Sequence, residues 1–218
     1  EIIAESEESV CLNVPSGQMP RSAFGHIFGT QLSACWSLGL LPEPSKEENT
    51  EMLERLSKAS SDADLAGNTG MAATLSRSLV RKELGIVSPT CLGPAAYRFS
   101  CQLNENSAKF ARATEVPEMN HNEIVAWTGN ASDNSALLLL SCDGLHPRTN
   151  ARIEWMLDEV EATPTWVIEC EGESLLERLL YAAHVSDWIS IGLAVLTKED
   201  PSDMPAIESL KSYLASVQ

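Results

Sequence analysis

The chain reads as an α/β protein with a mostly parallel sheet covered by helices on both faces. Three observations carry that reading. Apolar runs of strand length alternate with longer helix-period segments, the signature of a parallel sheet with crossover helices. Residues 135–142 contain four consecutive leucines, as expected of a strand buried on both faces. Of the 218 residues 44% are hydrophobic, enough for a sizeable core.

Taken in order, residues 1–9 are acidic and suit the end of a helix, and 10–14 form a short apolar strand candidate. Pro15-Ser16-Gly17 breaks that strand. Pro20 then opens a helix predicted to run to about Leu40, since proline suits a first helical turn. Residues 42–49 are a polar, acidic connection, and 50–59 read as an amphipathic helix presenting Met52, Leu53 and Leu56. Residues 60–67 are a loop. Asn68 can cap the next helix, whose apolar side carries Met71, Leu75, Leu79 and Val80, with Gly85 as its terminator. A strand is expected over 86–92 and a helix over 95–111. After the leucine-rich strand come a helix over 147–161, a strand over 165–170, and a long, largely apolar helix over 174–196. Asp200-Pro201 ends it, and a last helix covers 205–215. The segment 42–67 is the best linker candidate, but helices flank it closely, so one domain is expected. In such sheets ligands bind beyond the carboxyl ends of the strands.

The formal net charge of −16 argues against nucleic acid, because phosphate contacts need clustered Lys and Arg. An anionic substrate would have to be met by a few locally placed cations. No run of about 18 apolar residues suggests a membrane span. The chain starts at Glu1, which is not expected to be a natural translation start. The six cysteines are scattered, with no zinc spacing, and suit free thiols in a reducing cytoplasm. Walker, nucleophile-elbow and dinucleotide motifs are absent from the sequence.

Polar chemistry concentrates in residues 103–127, LNENSAKFARATEVPEMNHNEIVAW. Glu105 sits between Asn104 and Asn106, and His121 lies between Asn120 and Asn122. Glu105 can act as a general base, but Lys109 four residues on also makes an ordinary helical ion pair. His121 suits acid–base work or a capped helix entry. Arg21, at a helix start, can pin an anion or remain a surface arginine. Lys211 on the final helix reads by default as a solvated cation. His184 suits a satisfied core position, His146 can orient a loop, and no histidine pair has the i, i+4 spacing of a metal site.

These residues resemble a known family. The stretch NENSAKFARATEVPEMNHNEIVAW is similar to the motif of the phosphoglucose/phosphomannose isomerases, which are built from sugar-isomerase (SIS) domains. Pro20-Arg21-Ser22-Ala23, His146-Pro147-Arg148 with Arg152, Glu171-Gly172-Glu173-Ser174, Asp187-Trp188 and residues 207–211 resemble further family segments in the same order. The resemblance implies a SIS-like three-layer sandwich over residues 16–218, with 1–15 as the remnant of a preceding SIS domain. It implies metal-independent isomerisation of hexose 6-phosphates, glucose or mannose 6-phosphate to fructose 6-phosphate, through a cis-enediol and without a cofactor. Glu105 would be the base, His121 would help open the sugar ring, Lys211 would assist at the ring oxygen, and Arg21 would stabilise the enediolate. In this family the histidine comes from a neighbouring subunit, so a homodimer with shared sites is implied. Two departures stand out. The family's first domain, with its Ser-Gly-Asn-Thr phosphate loop, is not in this chain, and Asn68-Thr69 does not replace it. Met204 stands where a small hydroxyl residue is expected seven positions before the lysine. These departures keep a non-catalytic sugar-phosphate-binding or dimerisation module as the alternative.

Overall fold

A computed structural model of the protein describes residues 9–129 and 134–217. The chain divides into two compact units, 1–50 and 51–218. In the first, α1 spans Phe24–Ser37, and Phe24 and Phe28 stack one turn apart with centroids 5.4 Å from each other. The predicted strand at 10–14 is irregular backbone with Val10, Leu12 and Val14 exposed. A strand needs a neighbour for its ladder hydrogen bonds, and none of the described residues pairs with this segment. Its flanking acidic segment, 1–8, lies outside the described residues. Pro20 sits in a turn rather than in the first helical turn. The helix α2, Lys46–Asp62, starts earlier than predicted because Ser45 and Glu48 form a capping box. Ser45 Oγ accepts from the Glu48 amide (3.1 Å), and the Ser45 amide donates to Glu48 Oε2 (2.7 Å).

The second unit is built on four strands: β1 (Glu83–Pro89), β2 (Ala111–Val116), β3 (Ser135–Ser141) and β4 (Thr165–Glu169). They form one sheet in the order β2-β1-β3-β4, with every neighbouring pair parallel. The helices are α3 (Met71–Leu79), α4 (Gly93–Ser107), α5 (Glu123–Thr128), α6 (Pro147–Glu159), α7 (Leu175–Thr197) and α8 (Pro205–Ser216). Side chains alternate across the leucine-rich strand as its composition predicts. Leu138 and Leu140 enter one core with Phe99, Leu103, Leu79 and Ile189, from α3, α4 and α7. Leu137 and Leu139 enter a second with Ile124, Ile153 and Met156, from α5 and α6. The result is three layers, helix, sheet and helix.

Two differences from the sequence reading matter for the site. First, Gly85 does not end a helix; it lies within β1, and a Cβ there would stand 2.5 Å from Trp127 Cζ2. The indole of α5 packs directly on the strand backbone. Second, the helix predicted over 95–111 ends at Ser107. Ala108 turns it off in the left-handed region at φ 48°, and β2 follows as an edge strand. The mixed composition Ala-Arg-Ala-Thr-Glu-Val hid that strand, because an edge position buries little.

The 23-residue α7 is long and apolar enough to cross a membrane by length and composition. Here Val185, Ile189 and Leu193 instead line the core beside α3 and α4.

Candidate functional site

Each predicted site residue takes its place from the element that carries it. α4 starts at the carboxyl end of β1 and runs back, so Glu105, in its last turn, lies near the start of β2. Asn104 makes the link: its Nδ2 donates to the Ala111 carbonyl (3.2 Å), and its Oδ1 accepts from the Ala111 amide (3.0 Å). Asn106 Nδ2 donates to Ser190 Oγ on α7 (2.8 Å). The Ala108 and Lys109 amides both donate to the Leu103 carbonyl. Lys109 lies past the helix end and gives its ammonium to the Val80 carbonyl (2.9 Å), so helical i, i+4 geometry stops before it. Burial of that ammonium lowers the Lys109 pKa, with Glu83 opposing the shift. Glu105 itself is exposed on this tied turn.

His121 stands at the opposite end of β2. A cis bond joins Val116 to Pro117, and a 3-10 turn, Glu118–His121, follows. Asn122 then caps α5, its Oδ1 accepting from the Glu123 amide (2.6 Å) while its Nδ2 donates to Glu118 Oε1 (2.9 Å). His121 is exposed beside Asn120, whose amide side chain is buried without a hydrogen-bond partner. From residue 111 to 116, β2 spans about 17 Å. Within one chain the structure therefore sets Glu105 and His121 at opposite ends of the sheet.

Lys211 lies on α8, which buries none of its residues; Ile207, Leu210 and Leu214 make an exposed apolar stripe along it. Because α7 runs alongside α4 in the same direction, α8 begins from the end of the sheet where Glu105 lies. Arg21 belongs to the first unit. It sits in a turn where the Ser22 and Ala23 amides donate to the Met19 carbonyl, three residues before α1.

The seam between α4 and α7 is a polar ladder that the sequence reading did not pick out. Arg98, Gln102 and Asn106 are spaced four apart on α4. Arg98 Nη2 donates to both Asp187 oxygens (2.9 and 2.7 Å), and Gln102 Nε2 donates to Asp187 Oδ1 (2.7 Å). Burial raises the Asp187 pKa, and Arg98 opposes that. His184 is half-buried and accepts the Trp188 indole N–H at Nε2 (3.2 Å); burial lowers its pKa. The signal for this seam was the i, i+4, i+8 spacing of three long polar residues in a helix with an otherwise apolar face. His146 caps α6, its Nδ1 accepting from the Arg148 amide (3.2 Å).

A cavity of about 430 Å³ opens at the carboxyl end of β4, between Arg55 and Lys58 on α2 and Glu173, Glu177 and Tyr181 beyond the strand. None of Glu105, His121 and Lys211 lines it. Its wall is held by the buried Glu177, which takes Arg55 in a two-pronged pair (2.6 and 3.1 Å) and accepts from the Glu173 amide (3.0 Å). Among the described residues no three His, Cys, Asp or Glu side chains cluster as a metal site.

Residues 68–214 match the family described as the bacterial phospho-glucose isomerase C-terminal SIS domain. The chain is 30% identical over 216 residues to a bifunctional phosphoglucose/phosphomannose isomerase of Aquifex aeolicus, covering 97% of this chain and 63% of that one. It is 30% identical over 227 residues to the protein of the same name from Caldicellulosiruptor bescii, covering 99% and 65%. The chain thus spans a little under two thirds of these curated relatives. Among solved structures, a glucose-6-phosphate isomerase like protein from Thermus thermophilus superposes with a TM-score of 0.56 at 16% identity, over 71% of this chain and 55% of that one. The C-terminal domain of glucosamine-fructose-6-phosphate aminotransferase from Francisella tularensis gives 0.55 at 16%, over 71% and 46%. At that identity the two structures establish the shared fold.

Proposed function

Since the chain belongs to the bacterial phosphoglucose isomerase C-terminal SIS-domain family, we propose that its parent protein interconverts aldose and ketose hexose 6-phosphates. The substrates are glucose or mannose 6-phosphate and fructose 6-phosphate, and the relatives' names support that choice. In this reading residues 1–15 close a preceding SIS domain, and 16–218 form the C-terminal one.

The observation that carries the reading is Glu105 on the immobilised last turn of α4. A carboxylate on a rigid support suits removal of a proton from a carbon acid. In the proposed mechanism Glu105 moves the proton between C1 and C2 through a cis-enediol, with no metal taking part. Arg21 meets the negative charge that develops on the enediolate oxygens, and Lys211 acts at the ring oxygen. A fixed cation stabilises such charge more in the transition state than in the ground state. His121 assists ring opening from a partner subunit, which fits its place at the far end of β2 from Glu105. Glu105 is exposed in the single chain, so water would leave it only when substrate and partner cover that end.

The test is an assay of the full-length protein on fructose 6-phosphate with divalent metals chelated. Aldose 6-phosphate should form, and Glu105→Gln should lower kcat by at least ~10²-fold. A full rate in Glu105→Gln, or no aldose phosphate from the unaltered protein, would overturn the reading and favour a non-catalytic module.

A further inference from the structure

The two asparagines beside Glu105 point away from it in function as well as in space, each tying the helix end to a different element. Asn104 makes a two-point bond to the backbone of Ala111, the first residue of β2. This fixes the distance from the helix end to the sheet. Asn106, 5% exposed, reaches α7 at Ser190, whose hydroxyl in turn donates to the Asp187 carbonyl (2.8 Å). That contact fixes the rotation of α4 about its own axis, because it extends the row of polar contacts made one and two turns earlier by Gln102 and Arg98.

Resting on the reading of Glu105 as the base, we propose that Asn104 and Asn106 are positioning residues that set where the Glu105 carboxylate stands. Neither asparagine is assigned a contact with substrate. Helix ends fray, since their last carbonyls lack intrahelical donors. A base carried on a fraying turn would sample many positions, and proton transfer is sensitive to displacements of about 1 Å. Two lateral ties, one to the sheet and one to the neighbouring helix, remove the two motions left to such a turn. Because Asn104 is exposed, its replacement leaves the buried core intact.

The experiment compares the full-length protein with Asn104→Ala, Asn104→Asp and Ser190→Ala; the last removes the hydroxyl that accepts from Asn106 Nδ2 without substituting any residue of α4. The readouts are kcat, KM and the primary isotope effect with glucose 6-phosphate deuterated at C2. Asn104→Ala should lower kcat about tenfold with KM within about twofold, and the isotope effect should rise as proton abstraction becomes slower than ring opening and release. Asn104→Asp keeps the acceptor for the Ala111 amide and should recover part of the rate. Ser190→Ala should raise the isotope effect in the same direction, and it serves as the readout if Asn104→Ala does not fold. Unchanged kcat and isotope effect in these variants would overturn the proposal. So would a fall in kcat with an unchanged isotope effect, which marks loss of folded enzyme. Glu105→Gln run in parallel separates the cases: if it is inactive while the asparagine variants are normal, the positioning role fails and the base assignment stands.

Discussion

Glu177 shows how much a single residue's surroundings decide here. It is a buried charged side chain, and it is tolerated because Arg55 grips both carboxylate oxygens and the Glu173 amide takes a further lone pair. The Arg55 hydrogen bond is the leading cause that holds the Glu177 carboxyl below its ordinary range, against the opposing effect of burial. A depressed folded-state pKa contributes stability that is complete above the unfolded carboxylate value, about 4.3. That contribution is lost as pH falls through the lower folded value. His184 acts in the same direction from a higher pH. Burial lowers its folded pKa, so protonation favours the unfolded chain once pH drops below about 6.5. Melting temperature measured from pH 7 to pH 3 should therefore fall on the acid side. Glu177→Gln should flatten the steepest part, below about pH 4.5, and His184→Gln the shallower part above it. Acid limbs that match the unaltered protein in both variants would contradict these roles.

At the scale of elements, a tight contact joins α5 to β1. Gly85 leaves room for the Trp127 ring, and a methyl group there would also stand 2.9 Å from Leu137 Cδ2. Gly85→Ala should destabilise the domain by about 1–3 kcal/mol in a urea titration, through overpacking. Replacing Trp127 by leucine in the same chain should return part of that loss. Gly85 also shows what the sequence concealed. A glycine after an apolar helix looks like a terminator, and only the distant tryptophan reveals it as a strand residue. The leucine-rich β3 was legible because burial on both faces leaves an unbroken apolar run. β2 was not, because an edge strand next to a charged motif has no such pattern. The start of α2 was written in Ser45 and Glu48 but masked by the prolines before them. For the site, spacing alone marked 103–127 only as a concentration of polar side chains, with Glu105 and Lys109 as an ordinary helical pair; the roles proposed for Glu105 and His121 come from the family resemblance. What spacing could not convey is that the helix ends between them and a whole strand intervenes.

For the whole molecule, that intervening strand is the central fact. A net charge of −16 means that any anionic ligand, the proposed sugar phosphate included, must find its cations locally, and Lys211 lies on α8, which follows the end of α7 nearest Glu105. His121 lies at the other end, on an exposed turn. Under the roles proposed above, a second subunit would bring the histidine that completes the set. On α8 itself, Ile207, Leu210 and Leu214 leave an exposed apolar stripe.

Subunit complementation of the full-length protein tests this arrangement most directly. Glu105→Gln and His121→Ala subunits are each prepared, found inactive alone, and then unfolded and refolded together. If each site draws Glu105 from one chain and His121 from the other, every mixed dimer holds one intact site, and about a quarter of the unaltered activity returns on random pairing. Activity that stays at the level of the separate variants, with mixed dimers demonstrably formed, would contradict the shared site.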